Sequence, residues 1–213
     1  MGGGTLDLSV LTIDDGTMAV VGSGGDAHLG GEDMTRALEA LVMKRLPRAS
    51  LPLDTPTKAA LRDMCERAKV QLSTEQEVSL QGSGKLAALG TVTRAQFVEA
   101  CADVLARCGA CVRKVLEECD VSAADIQEVV VVGGASKTPC VRDHLSQAFG
   151  GKVCSCTCVC ARVCVCVCGG GGGGGGGDGG GMACCGPCIC SSCGCGVALV
   201  CAAVLQVMSG TVW

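Results

Sequence analysis

Four consecutive valines, Val129–Val132, constrain the fold more than any other stretch of this chain. A β-branched run with no polar alternation suits a strand covered on both faces, as in a parallel sheet between helical layers. Gly133 and Gly134 end the run, and Thr138-Pro139 then has the form of a helix start. Strand, glycine turn and helix in that order imply an α/β layered architecture.

The preceding residues supply the layers. Residues 5–13, TLDLSVLTI, alternate as a strand with Leu6, Leu8 and Val10 on one face. Asp15-Gly16 is a two-residue hairpin signal. Residues 18–21 return as a second strand, which Gly22, Gly24 and Gly25 are expected to end. A helix is expected over 29–46, with Glu32 and Asp33 in its first turn and Met34, Leu38, Leu41 and Val42 inward. Thr55-Pro56 reads as an N-cap followed by proline, opening a helix to about Leu72. A short strand at 78–80 follows. Thr93-Arg-Ala-Gln96 is a capping box that predicts one long helix through Cys119. Ser122–Asp125 is a looser capping signal, and the last helix carries Val141, Leu145 and Phe149.

Composition divides the chain in two. Only two charged residues, Arg162 and Asp178, lie beyond residue 153, against fourteen of the twenty cysteines. We therefore expect a folded domain over 1–153 and a Cys/Gly-rich, low-complexity, disordered tail over 154–213. The net charge of −4 argues against a general attraction to nucleic acid or to an anionic membrane. Six cysteines of the first part sit mostly at apolar helix positions, where a free thiol acts as a small hydrophobe. No charged segment followed by an apolar run opens the chain, so a cytoplasmic protein is expected. In the tail, alternating Cys-X-Cys could hold Zn²⁺ or Cu⁺ through thiolates. A TG repeat translated in frame also yields alternating Cys and Val, and a GGN repeat yields polyglycine. The apolar stretch 197–208 is too short and too mixed for a membrane span.

Four stretches can carry chemistry. Gly2-Gly3-Gly4-Thr5 leads into Asp7; glycines admit a phosphate to backbone N–H groups, and a hydroxyl and carboxylate can hold a water or a Mg²⁺ shell. The plain alternative is a flexible terminus. Gly30 and Gly31 precede a helix start, a natural anion site, although Glu32 and Asp33 would oppose an anion there. Glu66, Lys69 and Ser73 share one helix face and could hydrogen-bond a ribose and a base, or form an ordinary ion pair on a solvated face. Gly133, Gly134, Ser136 and Lys137 follow the valine strand at the carboxyl end of a sheet, where α/β ligands bind, or form a tight structural turn. His28 and His144 lie in no arrangement that suggests a triad.

Together GGGTLDLSV, GDAHLGGEDMTRAL, CERAKVQLS and VVVVGGASKTPCVRDHL resemble, in order and spacing, the heat shock protein 70 (DnaK-type) chaperone family. The likeness runs across about residues 1–152. It implies the second lobe of an actin-like (ribonuclease H-like) ATPase domain carrying an inserted helical/β subdomain. It implies that Gly2, Gly3, Gly4 and Thr5 cradle the β/γ-phosphates of ATP or ADP. Thr5 and Asp7 would be the catalytic residues, with Asp7 in the Mg²⁺ and water shell. Gly30 and Gly31 would lie near the cleft, Glu66, Lys69 and Ser73 would contact ribose and adenine, and Gly133, Gly134, Ser136 and Lys137 would pack near the nucleoside. Unfolded clients, J-domain co-chaperones and nucleotide exchange factors would be partners. Val70 stands where the family has a basic residue stacking on adenine, Ala135 replaces a hydroxyl residue and Lys137 an arginine, an exchange that is not neutral. Beside the family pattern, the first lobe, the peptide-binding domain and the lid have no counterpart, so a chain that does not turn over alone is expected. A regulatory or ribosome-associated relative without turnover is the alternative.

Overall fold

The computed structural model describes residues 1–14, 17–87, 89–155 and 196–202. Asp15 and Gly16, the expected hairpin turn, lie outside the described residues, as does the thiolate-rich stretch 156–195. A five-stranded sheet forms the frame. Its strands are β1 (Leu6–Asp14), β2 (Thr17–Asp26), β5 (Ile126–Val131), β6 (Val153–Ser155) and β7 (Gly196–Ala202), in the order β2-β1-β7-β5-β6. β1 pairs antiparallel with β2 and β7, whereas β5 is parallel to β6 and β7. A second sheet pairs β3 (Glu77–Ser79) with β4 (Thr91–Thr93).

Among the described residues five α-helices complete the layers: α1 (Gly31–Met43), α2 (Thr55–Gln71), α3 (Arg94–Ala100), α4 (Ala102–Glu118) and α5 (Pro139–Ala148). Helix α4 packs on β1 and β2, and α1 packs on α2 and α3. Leu6, Leu8, Val10, Ile126, Val129 and Val131 are buried in the sheet beneath Val112, Val115, Leu116 and Leu145. Among the described residues no helix is long and apolar enough to cross a membrane.

Several expectations are corrected. Gly22, Gly24 and Gly25 do not end β2, which runs to Asp26. A Cβ at Gly22 would lie 2.5 Å from Cys119 Sγ, and one at Gly24 2.7 Å from Val115. These glycines admit α4 against the strand. The expected long helix is two, because Cys101 takes ψ 4°, outside the helical range, between α3 and α4. Its N–H is shared between the Phe97 and Val98 carbonyls, and its side chain is fully buried. Asp54, not Thr55, caps α2, accepting 2.9 Å from the Thr57 N–H. Ser122 and Asp125 close a turn on each other instead of starting a helix. Val132 falls outside β5 and is 40% exposed, so the valine run is covered mainly at Val129 and Val131. β6 and β7 both include residues beyond 153, and β7 pairs with β1 on one side and β5 on the other.

Candidate functional site

The site starts at the amino-terminal glycines. The Gly2 N–H bonds the Thr5 carbonyl at 2.9 Å, closing a turn. That turn is stitched to α1: Gly31 N–H donates to the Gly2 carbonyl at 2.8 Å and Glu32 N–H to the Gly3 carbonyl at 2.7 Å. The first amides of a helix lack intrahelical partners, and here glycine carbonyls take two of them. The helix start is therefore a joint and does not present these two amides to an anion. The Asp33 carboxylate turns back on the same joint, accepting from the Gly30 N–H at 2.7 Å. Close approach explains Gly30, since a Cβ there would fall 2.4 Å from the Gly3 carbonyl oxygen. Thr5 Oγ1 donates to Asp7 Oδ2 at 3.0 Å, so the hydroxyl and carboxylate expected to act together do meet. The Met1 ammonium donates to the Val132 carbonyl at 2.7 Å, tying the turn to the carboxyl end of β5.

Helix α2 contributes a side-chain network. Lys69, only 8% exposed, donates from Nζ to the Gly31 carbonyl at 3.1 Å, to Thr35 Oγ1 at 3.0 Å and to Glu66 Oε2 at 2.7 Å. An ammonium has three donors, and all three are engaged within the protein. Thr35 Oγ1 also lies 2.5 Å from Glu66 Oε2. Burial opposes ionisation of Glu66, but the Lys69 and Thr35 hydrogen bonds outweigh it and hold the carboxyl below its ordinary range. Ser73 Oγ reaches the Lys69 carbonyl at 3.4 Å.

The third part follows β5. Gly133 adopts φ 106°, a conformation that favours glycine. Ser136 Oγ donates to the Gly133 carbonyl at 2.6 Å and locks the short 3-10 turn Ala135–Lys137. Gly134 differs: its φ is −61°, and a Cβ built on it meets nothing within 4 Å. Gly3 and Gly4 are equally open. Ser73 and Lys137 share a cleft of about 280 Å³ with Pro139, Arg142, Asp143 and Ser146. A larger one of about 330 Å³ lies between α2 and β3 and contains none of the candidate residues. Among the described residues no three His, Cys, Asp or Glu side chains gather as a metal-binding set.

All three parts converge on Gly31. A Cβ there would lie 3.3 Å from Ala135 Cβ, 3.4 Å from Lys69 Nζ and 3.5 Å from the Gly2 carbonyl oxygen. Sequence elements more than a hundred residues apart thus touch at one point. A family model, Hsp70 protein, matches residues 1–159. The chain belongs to the Hsp70 family. It is 37% identical over 158 residues to heat shock cognate 70 kDa protein 3 of Dictyostelium discoideum. It is 39% identical over 158 residues to heat shock 70 kDa protein BIP3 of Oryza sativa subsp. japonica, and 35% identical over 153 residues to the chaperone protein dnaK of Cyanophora paradoxa. These matches take in 71%, 71% and 67% of this chain but only 25%, 24% and 25% of the relatives, so the chain spans about a quarter of the length of the curated relatives it matches.

In this Hsp70 chain Val70 is 60% exposed beside the Glu66–Lys69 network. Two residues of the site escape sequence reasoning. Thr35 is a buried hydroxyl facing Lys69; its only signal is a polar residue on the inward face of α1, next to Met34 and Leu38. Met1 is the other: its main-chain nitrogen meets the Val132 carbonyl, a contact that residue identity does not reveal.

Proposed function

We propose that the chain binds ATP and ADP, with Mg²⁺, in the space bounded by the glycine turn, the start of α1 and the Gly133–Lys137 turn. It would do so as a nucleotide-binding element of an Hsp70 chaperone that couples ATP hydrolysis to protein folding. The observation that carries this reading is the convergence on Gly31 together with three open glycines, Gly3, Gly4 and Gly134. Neither crowding nor left-handed backbone asks for glycine at Gly134. A flat ring or phosphate lying against the backbone does. Gly2, Gly3, Gly4 and Thr5 serve the phosphates, Asp7 serves the Mg²⁺ and water shell, and Gly133, Gly134, Ser136 and Lys137 serve the nucleoside. Glu66 and Ser73 face ribose and adenine. Lys69 acts as a positioning residue, because its protons already join α1 to α2. Clients, J-domain co-chaperones and exchange factors belong to the same reading, as does a cytoplasmic site of action.

Phosphoryl transfer needs groups placed from every side of the phosphate, and the described residues supply one wall. Binding without turnover is therefore expected. Titration calorimetry of the chain with Mg-ADP and Mg-ATP should show saturable binding weaker than ~1 µM, with no phosphate release above background. No heat at millimolar nucleotide would refute the nucleotide reading. Affinity tighter than ~1 µM would refute the one-walled site. A non-catalytic relative is the second reading, favoured by the saturated Lys69 and the exposed Val70. Measuring hydrolysis with the complementary lobe supplied separates the two.

A further inference from the structure

Helix α4 sends one cation across the connector between β2 and α1. Arg107 Nη2 donates to Asp26 Oδ2 at 2.7 Å and to the His28 carbonyl at 3.2 Å. Asp26 Oδ1 accepts from the His28 N–H at 2.8 Å. His28 is thus gripped at both its amide and its carbonyl. The His28 amide, and after it the Arg107 guanidinium, hold the Asp26 carboxyl below its ordinary range. The connector borders the proposed phosphate end at both of its own ends. Asp26 pairs in the sheet with Leu6, the residue between Thr5 and Asp7. At the far end Gly31 docks its N–H on the Gly2 carbonyl at 2.8 Å, and Leu29 between them is fully buried. The Arg107 and Asp26 side chains are 48% and 26% exposed, and an ion pair so open to water contributes little to stability. What it fixes is the path of the chain into α1.

We propose that Arg107 is a positioning residue for the nucleotide site: by holding Asp26 and His28 it sets how the start of α1 and the Thr5–Asp7 pair approach the phosphates. Arg107 touches no nucleotide and acts through the connector. The role rests on the nucleotide reading for its ligand, whereas the clamp itself is measurable without nucleotide.

The test compares the full chain with its Arg107→Ala and Arg107→Lys variants. Hydrogen exchange without nucleotide reads the clamp. In R107A the His28, Gly31 and Glu32 amides should exchange at least ~10-fold faster while the amides of β1 keep their rates. R107K keeps a cation and its donors, and should bring the three amides back to within ~3-fold of the unsubstituted chain. Calorimetry reads the consequence: R107A should bind Mg-ADP at least ~5-fold more weakly, and R107K should recover most of that loss. The Tm of R107A should stay within ~3 °C of the parent. Unchanged exchange at His28, unchanged Mg-ADP affinity in R107A, or no recovery in R107K overturns the proposal. A fall in Tm beyond ~3 °C, or failure of R107A to fold, makes Arg107 a structural residue and overturns it too. If the unsubstituted chain binds no Mg-ADP, the nucleotide reading falls, and Gly31 and Glu32 decide the positioning alone. Exchange there at the parent rate in R107A overturns it; exchange at least ~10-fold faster supports it.

Discussion

The two ends of the candidate site are held by different physics. At the glycine-turn end the contacts run from backbone to backbone: Gly31 and Glu32 amides to Gly2 and Gly3 carbonyls, and Met1 to Val132. At the α2 end they run between side chains, through Lys69, Thr35 and Glu66. The backbone joint demands close approach at Gly30, where a Cβ would fall 2.4 Å from the Gly3 carbonyl oxygen. The side-chain joint demands matched donors and acceptors, so substitutions there fail by leaving a buried group unpaired. In this fold the Lys69 ammonium ties α2 to the start of α1.

Four substitutions sharpen that contrast. Gly30→Ala should have the largest effect, because its methyl meets backbone that cannot swing aside; a loss of ~1–3 kcal/mol in urea denaturation is expected, and unchanged stability would mean the turn is not docked on α1. Thr35→Val should cost ~1–2 kcal/mol, since it takes one acceptor from a buried ammonium; a Thr35→Ser variant should recover most of the loss in the same measurement. Gly134→Ala should leave stability within ~0.5 kcal/mol while weakening Mg-ADP binding by at least ~10-fold in calorimetry. Full binding in that variant would break the proposed nucleoside contact.

The smallest effect is in the pH dependence. The Glu66 carboxyl is held below its ordinary value of 4.5 in the fold. A carboxyl lowered by folding contributes stability above its unfolded value and loses that contribution as pH falls through the folded value. Its side chain is 50% exposed, so solvent screening leaves only a few tenths of a kcal/mol. Thermal melts from pH 6 down toward pH 3 should therefore fall slightly less steeply in Glu66→Gln than in the parent below about pH 4.5. An identical slope would show that the Lys69–Glu66 contact does not persist in solution.

Local chemistry made much of the chain legible. The capping box at Thr93 and Gln96 forms as its residue types require, and the inward stripes of α1 and α4 follow helical period. The four stretches with chemical potential are those that meet. What escaped is non-local. Glycines in β2 read as breakers until α4 is seen lying on them, and Cys101 reads as mid-helix until its burial between two helix directions is known.

By itself, then, the sequence determined the α/β class and most helices and strands, because these depend on periodicity, caps and turns within a few residues. Only the tertiary structure decided that Lys69 is consumed by Thr35, Glu66 and Gly31, and that a strand from residues 196–202 closes the sheet between β1 and β5. Both depend on which hydrogen-bonding groups are left without a local partner, and their partners can lie anywhere along the chain.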